Sequence, residues 1–193
     1  VLSSEVSALA DRLEREFYMQ LDDSYGAKIL RSISGRLYDP ERPGKSTFES
    51  SVEITDSKGL DRFSTLKFTY GPHIEDIYIN EVRVADKDGN TILEANVEDF
   101  FIVDENEDVL ATTEKVVHVP VPGLEVGQVL NFRVTREFYS KTTDLEFISR
   151  PLDSDLPIVG RIFHILGDSE TLKYKTLNGV ERLEFDGGVA FFT

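Results

Sequence analysis

The first part of the chain has the apolar spacing of an amphipathic helix. Apolar residues recur there at steps of three and four, at Val6, Leu9, Ala10, Leu13, Phe17 and Leu21. This period places them on one side of a helix, and Ser3 or Ser4 can cap its N terminus, with Glu5 in the first turn. The pattern predicts a helix from about Ser4 to Leu21, within a helical extension formed by residues 1–26.

The rest of the chain alternates apolar and polar residues, which indicates strands. An extended segment carries Ile29, Ile33 and Leu37 on one side. Beyond Ser46 the alternating segments are FESSVEIT, FSTLKFTY, IYINEVRVA, NTILEA, EKVVHVPV, VLNFRVTREF, a stretch around Leu145 to Ile148, RIFHIL, TLKYKTL and VERLEF. Because these segments leave little room for helices, we predict a mainly β protein, an antiparallel β-sandwich of about ten strands over residues 27–186 with an N-terminal α-helix.

Turn residues separate the predicted strands. The segments Ser57–Gly59, Asp86–Asn90 and Asn178–Gly179 are each flanked by alternating apolar residues. Asp-Gly and Asn-Gly steps supply the positive φ of tight hairpins, which assigns Gly89 and Gly179 to turns. The sequence therefore favours antiparallel pairing between neighbouring strands.

The run from Val119 to Phe138, VPVPGLEVGQVLNFRVTREF, combines a turn with a long strand. Pro122 and Gly123 suit a type II turn, in which glycine takes the positive φ. Gly127 lies where the next strand begins, which predicts a bulge or a close backbone approach. We interpret both glycines as structural. In the strand, one face carries Val129, Asn131, Arg133 and Thr135, and the predicted buried face carries Leu130, Phe132, Val134 and Arg136.

Composition excludes several functions. The net charge is -15, from 36 acidic and 21 basic residues, and this excess argues against binding to nucleic acid or to anionic lipid. No apolar stretch approaches the ~20 residues that cross a bilayer, so no membrane insertion is predicted. The chain has no cysteine, which removes disulfides, thiolate metal sites and thiol nucleophiles together.

The candidate catalytic residues do not form a recognisable pattern. His73, His118 and His164 are widely separated and have no cysteine to activate. The alternation around His118 and His164 predicts half-buried or surface positions on strands. No G-x-S-x-G motif occurs, and Gly44–Thr47 lacks the leading glycine of a phosphate-binding loop. We therefore predict no catalytic, cofactor-binding or metal-binding residue, and no enzyme activity in this chain.

The segment from Asp88 to Glu114 contains nine acidic residues and no Lys or Arg. A solvated loop or strand edge is the first interpretation. Calcium or a basic partner stays open as an alternative, although Asp86–Asn90 departs from an EF-hand loop in the position of Gly89.

Aromatic residues suggest an interaction surface. Phe100, Phe101 and Tyr139 are the candidates, while most other aromatics are assigned to the core. Since adjacent strand residues point in opposite directions, only one of Phe100 and Phe101 can face the core. The other is available to a neighbouring domain.

Several short motifs occur in a characteristic order, Arg62-Phe63-Ser64, Asp88-Gly89, Pro122-Gly123 and Val126-Gly127. In this order the segment from about Ala27 to Phe185 resembles the bacterial family called domain of unknown function 3857. The resemblance implies a noncatalytic accessory domain, located extracytoplasmically in the periplasm or cell envelope. It implies a partner as well, a C-terminal transglutaminase-like domain of the same polypeptide. Residues 187–193, GGVAFFT, are interpreted as the start of a linker to it.

A second function remains open. Many β-sandwiches bind glycans or peptides, so the chain could be a stand-alone ligand-binding module, with calcium as structural support. A hydrolase that uses two carboxylates of the acidic segment is a third hypothesis, and it requires both groups to face one cleft.

Overall fold

In a computed structural model of the chain, the structure describes residues 3–17, 21, 24–39, 42–107, 110–141, 154–167, 173–176 and 179–193. The helices are α1 (Ser4–Phe17) and α2 (Ser57–Phe63), and a 3₁₀ turn spans Val97–Asp99. The strands are β1 (Ala27–Tyr38), β2 (Pro43–Ile54), β3 (Thr65–Tyr70), β4 (Glu75–Ala85), β5 (Thr91–Glu94), β6 (Phe101–Glu107), β7 (Leu110–Pro120), β8 (Val129–Lys141), β9 (Arg161–Gly167), β10 (Glu181–Phe185) and β11 (Gly188–Phe192). No helix in these ranges is long and apolar enough to cross a membrane.

The strands form two sheets. The larger has the order β10-β11-β9-β1-β2-β8-β4-β5 and the smaller the order β3-β7-β6. The predicted mainly β sandwich with an N-terminal helix is confirmed. One detail of the prediction is wrong, because β1 and β9 run parallel while the other neighbouring strands pair antiparallel. A parallel pair needs a long connection, and seven strands separate β1 from β9 in the sequence.

The main core lies between the two sheets. It is built from alternate residues of the facing strands, among them Val82, Val84, Leu130 and Phe132 of the larger sheet and Leu66, Val117 and Val119 of the smaller. The predicted inward set of β8 is confirmed for Leu130, Phe132 and Val134, which are buried.

Helix α1 covers the opposite face of the larger sheet. Ile33 pairs with Glu49, and Glu49 pairs with Arg133, so these residues share a face that is turned away from the Phe132 side. The buried α1 residues Val6, Leu9, Ala10 and Leu13 pack on this face against Ile33, Val159, Ile162, Ala190 and Phe192. Helix α1, which belongs to the predicted N-terminal extension, therefore packs directly on the sheet through its apolar side.

Arg31 links α1 to this face. Its guanidinium forms an ion pair with Asp11 and lies 3.7 Å from Glu14 Oε2. Burial raises the pKa of the Glu14 carboxyl, and Arg31 opposes that shift. The helix is therefore held by polar contacts at its rim as well as by its apolar stripe.

Two local predictions differ from the structure. Ser57–Gly59, expected to form a hairpin turn, begins the short helix α2, which also takes Phe63 out of the predicted strand. Residues 187–193 were interpreted as a linker, but Gly188–Phe192 forms β11, which pairs with β10 and β9. All five residues of β11 are buried, because β11 lies between β10 and β9 and its Ala190 and Phe192 pack in the cluster with α1.

Candidate interaction surface

The short motifs of the sequence meet at one end of the sandwich. The N–H of Gly127 donates to the carbonyl of Ile54 (2.7 Å), and the N–H of Val121, just before the Pro122-Gly123 turn, donates to the carbonyl of Ser64 (2.9 Å). The side chain of Lys87, in the Asp86–Asn90 hairpin, also lies close to Gly127. Motifs that are far apart in the sequence therefore build one structural region.

Helix α2 begins in this region with a capped N terminus. Asp56 Oδ1 accepts hydrogen bonds from the N–H groups of Lys58 (2.7 Å) and Gly59 (3.2 Å), which satisfies two donors of the first turn. Gly59 packs against the backbone of Gly26, and a Cβ at Gly59 would lie 1.8 Å from the Gly26 carbonyl oxygen. Only glycine allows the helix to approach this closely.

The end of α2 presents Arg62. Its guanidinium donates to both carboxylate oxygens of Asp155, at 2.8 and 3.2 Å, and lies over the Phe63 ring at 5.6 Å. The hydrogen bonds from Arg62 lower the pKa of the Asp155 carboxyl. The hydrogen bonds to Asp155 and the contact with Phe63 therefore orient the Arg62 guanidinium at the edge of the three-stranded sheet.

The outer face of that sheet carries a row of three side chains. Lys67 of β3 pairs with His118 of β7, and His118 pairs with Phe101 of β6. The Phe101 ring stacks on the His118 imidazole with 4.8 Å between centroids and 22° between planes. We call these three residues, together with Arg62 and Ser64, the Phe101 surface.

A groove of about 610 Å³ runs along the Phe101 surface, between the end of α2 and the sheet. Both polar and apolar groups line it, including Arg62, Ser64, Lys67, Phe101 and His118. The groove is open to solvent rather than enclosed, and its lining supplies an aromatic ring beside cationic and hydrogen-bonding groups. The groove can therefore accept a side chain or a small ligand that combines an apolar group with an anionic or hydrogen-bonding group.

The two adjacent phenylalanines point in different directions. Phe100 packs against the main core, whereas Phe101 is 49% exposed. Only one of the pair therefore contributes to the core, because neighbouring residues of an extended chain alternate. The next two residues, Ile102 and Val103, are also exposed.

Tyr139 belongs to a different place. It lies near the end of β8 in the larger sheet, and its hydroxyl donates to Asp76 Oδ1 (2.9 Å). This hydrogen bond raises the pKa of the Tyr139 phenol. The contacts found among the described residues do not connect Tyr139 with Phe101, so the three aromatic candidates do not form one surface.

The turn glycines have the backbone conformation that excludes most side chains. Gly89, Gly123, Gly127 and Gly179 have φ of 86°, 79°, 89° and 76°. At Gly123 a Cβ would meet no atom within 4 Å, so the positive φ after Pro122, rather than space, requires glycine there. Asn178 lies outside the described residues, as does the predicted strand around Leu145 to Ile148.

The acidic segment is used partly for structure. Asp86 Oδ1 accepts the N–H groups of Asp88 (2.9 Å) and Asn90 (2.8 Å), closing the hairpin between β4 and β5. The hydrogen bond from the Asn90 side chain, with these backbone bonds, lowers the pKa of the Asp86 carboxyl. Within the described part of the chain, no group of three or more His, Asp or Glu residues is arranged to hold a metal ion.

The histidines differ in their surroundings. His118 is half-buried, as predicted. The corresponding prediction for His164 is wrong, because its side chain is fully buried in β9, on the same face as Ile162, which packs against α1. Burial lowers the pKa of His164 to about 4, and its ring nitrogens have no hydrogen-bond partner among the described residues. His73 Nε2 lies 2.8 Å from Thr113 Oγ1.

The face of the larger sheet that carries α1 is polar beside the helix. Arg31, Glu49, Arg133, Glu81 and Arg83 form a chain of ion pairs across four strands, with separations of 3.5, 3.7, 3.1 and 3.2 Å. Opposite charges are matched within this face. It offers less to an apolar partner than the Phe101 surface does.

Sequence reasoning identified Phe101 but missed its neighbours in space. Arg62 and Ser64 appeared only as motif residues, and Lys67 was not singled out. The pairing of β3, β7 and β6 brings them together, and strand pairing over long sequence separations has no local pattern. Alternation could have placed Lys67 and His118 on the outward faces of their strands.

Comparisons with known proteins identify a family and a fold. A family model described as a domain of unknown function with a solved structure (DUF3857) matches residues 42–187. No curated protein gives a significant match to the chain.

Three solved structures illustrate the similarity in fold. A proposed protease from Parabacteroides distasonis superposes with a TM-score of 0.68 at 13% identity, covering 87% of this chain and 35% of that protein. A CBM3a-L domain of a Clostridium thermocellum cellulosome scaffoldin has a TM-score of 0.35 at 14% identity, covering 66% and 79%. Yeast LTA4 hydrolase has a TM-score of 0.38 at 11% identity, covering 86% and 26%. Only the first indicates a shared fold, and this chain spans about a third of that protein's length.

Proposed function

We propose that this chain, which belongs to the domain of unknown function 3857 family, is a noncatalytic interaction domain of a larger bacterial protein. In this proposal it packs beside a C-terminal transglutaminase-like domain of the same polypeptide, or presents substrate to it. The protein would act outside the cytoplasm, in the periplasm or cell envelope. The Phe101 surface is the contact region.

The stacked pair of Phe101 and His118 is the observation that carries the proposal. An aromatic ring that is 49% exposed on a well-packed sheet has the features of an interface anchor, since buried aromatic side chains dominate the binding energy of many interfaces. Arg62 beside this pair is oriented by two hydrogen bonds to Asp155, so part of the entropy cost of ordering its side chain is already met in the free domain.

The polar groups beside this pair favour a noncatalytic role. Ser64 Oγ donates to the carbonyl of Asp61 (3.3 Å), whereas a serine nucleophile would donate to a general base. His118 faces a phenyl ring rather than an acidic residue. The sequence has no cysteine, so the nucleophile of a transglutaminase-like reaction would have to come from another domain.

The similarity to the Parabacteroides distasonis protein is consistent with this division of labour. That protein is described as a proposed protease, and the chain spans 35% of its length. Its remaining length leaves room for a separate catalytic domain. We propose the same arrangement here.

The first test is the reading frame that encodes the chain. The proposal expects it to continue beyond Thr193 into a domain with Cys, His and Asp residues in a transglutaminase-like order. A stop codon soon after Thr193 would overturn it.

The second test is a binding titration between the isolated domain and the separately produced transglutaminase-like domain. We expect saturable binding that Phe101→Ala weakens about tenfold. Tyr78→Ala is the matched control, because Tyr78 is a similarly exposed aromatic (45%) on the other sheet. Equal affinity of the Phe101→Ala variant and the wild type would contradict the proposed contact region.

A stand-alone glycan- or peptide-binding module is the second candidate function. The groove favours it, because the exposed Phe101 ring can stack on a sugar and the polar groups beside it can form hydrogen bonds with the sugar hydroxyls. Binding on a glycan array that Phe101→Ala abolishes would support this function. A rise in melting temperature on addition of calcium would support the structural role of that ion.

A further inference from the structure

Strand β6 is an open edge of the three-stranded sheet. In the described part of the chain β6 pairs with β7 alone. The turn and loop hydrogen bonds found there include none to the backbone of Phe101–Asp104. An edge strand directs alternate N–H and C=O groups away from its one neighbour, and these groups can pair with another extended chain.

The side chains of Phe101–Val103 leave the first part of this edge unprotected. Phe101, Ile102 and Val103 are 49%, 57% and 43% exposed. Because successive residues point to opposite faces, both sides of the edge present apolar surface. Among the other described edges, β3 and β10 carry no exposed large apolar side chain and β5 carries one, Ile92. Proteins usually protect such edges with charge or proline, so an apolar edge indicates a binding site.

The acidic residues near β6 favour a basic polypeptide as the added strand. Glu98, Asp99 and Asp104 are exposed on either side of Phe101–Val103, and Asp104 pairs with Lys115 of β7 (3.6 Å). The whole segment from Asp88 to Glu114 has nine acids without a Lys or Arg. An added strand would gain from apolar side chains beside Phe101–Val103 and from Lys or Arg near Glu98, Asp99 and Asp104, because opposite charges on adjacent strands attract. A second copy of this chain would bring together two acidic strands and two molecules of net charge -15, which disfavours self-pairing.

We propose that β6 receives an extended, Lys- or Arg-rich polypeptide segment of another protein as an added strand. Backbone hydrogen bonds to the open edge hold the segment in the plane of the sheet, its alternate side chains contact Ile102 and Val103, and the Phe101 ring on the outer face stays available to the catalytic domain. The inference rests on the proposed function and deepens it, because this segment is the substrate polypeptide that the domain holds for the catalytic domain.

The test uses the isolated domain and a phage-displayed library of short random peptides. We expect enrichment of peptides that alternate apolar residues with Lys or Arg. The selected peptides are then synthesised, and their affinity is measured by fluorescence anisotropy. No enrichment above an uncoated support, or enrichment of acidic or uncharged peptides, would overturn the inference.

Two variants locate the binding site. Val103→Lys places a charge on the edge and should weaken binding of the selected peptides about tenfold. Val126→Lys is the matched control, since Val126 is 52% exposed in a turn outside β6, and it should leave the affinity unchanged. Both variants alter exposed side chains, and thermal unfolding confirms that each is folded. Equal affinity for Val103→Lys and wild type would overturn the inference.

A change in the peptide alone tests strand addition itself. Methylation of alternate backbone nitrogens removes the donors of one side of an extended peptide. We expect one of the two alternate methylation patterns to abolish binding and the other to retain it. Equal binding of both methylated peptides would show side-chain contact without strand addition. Self-association at micromolar concentration that Val103→Lys abolishes would identify a second copy as the occupant and overturn the proposal.

The outcomes separate this inference from the proposed function. If the domain binds the transglutaminase-like domain but none of the peptides, the strand-addition proposal alone fails. If it binds the basic peptides but not that domain, the proposed function fails while β6 remains a peptide site.

Discussion

The imidazole of His164 occupies the space that a side chain on Gly35 would need. The two residues pair across the parallel strands β1 and β9, and a Cβ built on Gly35 would lie 2.2 Å from His164 Nε2. His164 is fully buried, so closely packed neighbours limit the movement of its ring. The glycine and the histidine therefore form one packing unit beside the helix α1.

Gly35→Ala should destabilise the protein through this contact. Overpacking of a buried site costs about 1–3 kcal/mol, and urea unfolding measures the loss. The double variant Gly35→Ala/His164→Ala removes the ring that the new methyl group would meet. We expect the double variant to lose less free energy of unfolding than the sum of the two single variants. Additive losses would contradict the proposed contact.

The stability of the protein should depend on pH through His164. The pKa of this residue is about 4 in the folded state and near 6.5 when unfolded. The unfolded chain therefore takes up a proton first as the pH falls, and stability decreases from about pH 6.5 to about pH 4. Between about pH 7.5 and pH 5 this linkage predicts a loss of about 2 kcal/mol.

The variant His164→Leu provides the comparison for the pH dependence. It removes the titrating group, so its free energy of unfolding should change less than that of the wild type over the same interval. Urea unfolding at a series of pH values measures both curves. Parallel curves would show that His164 does not cause the dependence.

The strand pattern could be predicted well from the sequence. Alternation placed Leu130 and Phe132 on the buried face of β8, and the hairpin at Asp86–Asn90 joins β4 and β5. These features depend on residues that are close in the sequence, where side-chain period and turn chemistry act directly. The fold class follows from the same local information.

The parts that sequence reasoning missed depend on contacts between distant segments. Gly59, predicted to be a turn residue, lies in α2, where its contact with the distant Gly26 leaves no room for a side chain. His164 alternates with apolar residues in a way that fits either a half-buried or a fully buried position, and only the packing of the distant helix α1 on that face of the sheet decides between them. The Phe101 surface was missed for the same reason, since α2 and β3 on one side and β6 and β7 on the other are far apart in the sequence and meet only in the fold.

The cap of α2 should contribute to stability. Asp56→Ala removes the acceptor of two backbone N–H groups and should cost about 1 kcal/mol. Asp56→Asn keeps an oxygen acceptor and should retain most of that free energy. Chemical denaturation of the three proteins checks the order. Equal loss in both variants would indicate that charge, rather than the hydrogen bonds, stabilises this end of the helix.

Phe101→Ala should have little effect on folding. Because the ring is 49% exposed, we expect the free energy of unfolding to fall by about 1 kcal/mol. Leu130→Ala, at a fully buried position of the core, should cost about 2–5 kcal/mol. A large loss in the Phe101→Ala variant would show that Phe101 serves the fold rather than an interface.

Hydrogen exchange tests the central claim, that the Phe101 surface contacts the rest of a larger protein. The amide exchange rates of Arg62–Lys67 and Phe101–Val103 are measured in the isolated domain and in the full-length parent protein. The account predicts slower exchange of these amides in the parent protein, while the amides around the Arg133 ion pairs exchange equally in both. Identical exchange at the Phe101 surface in the two proteins would contradict it.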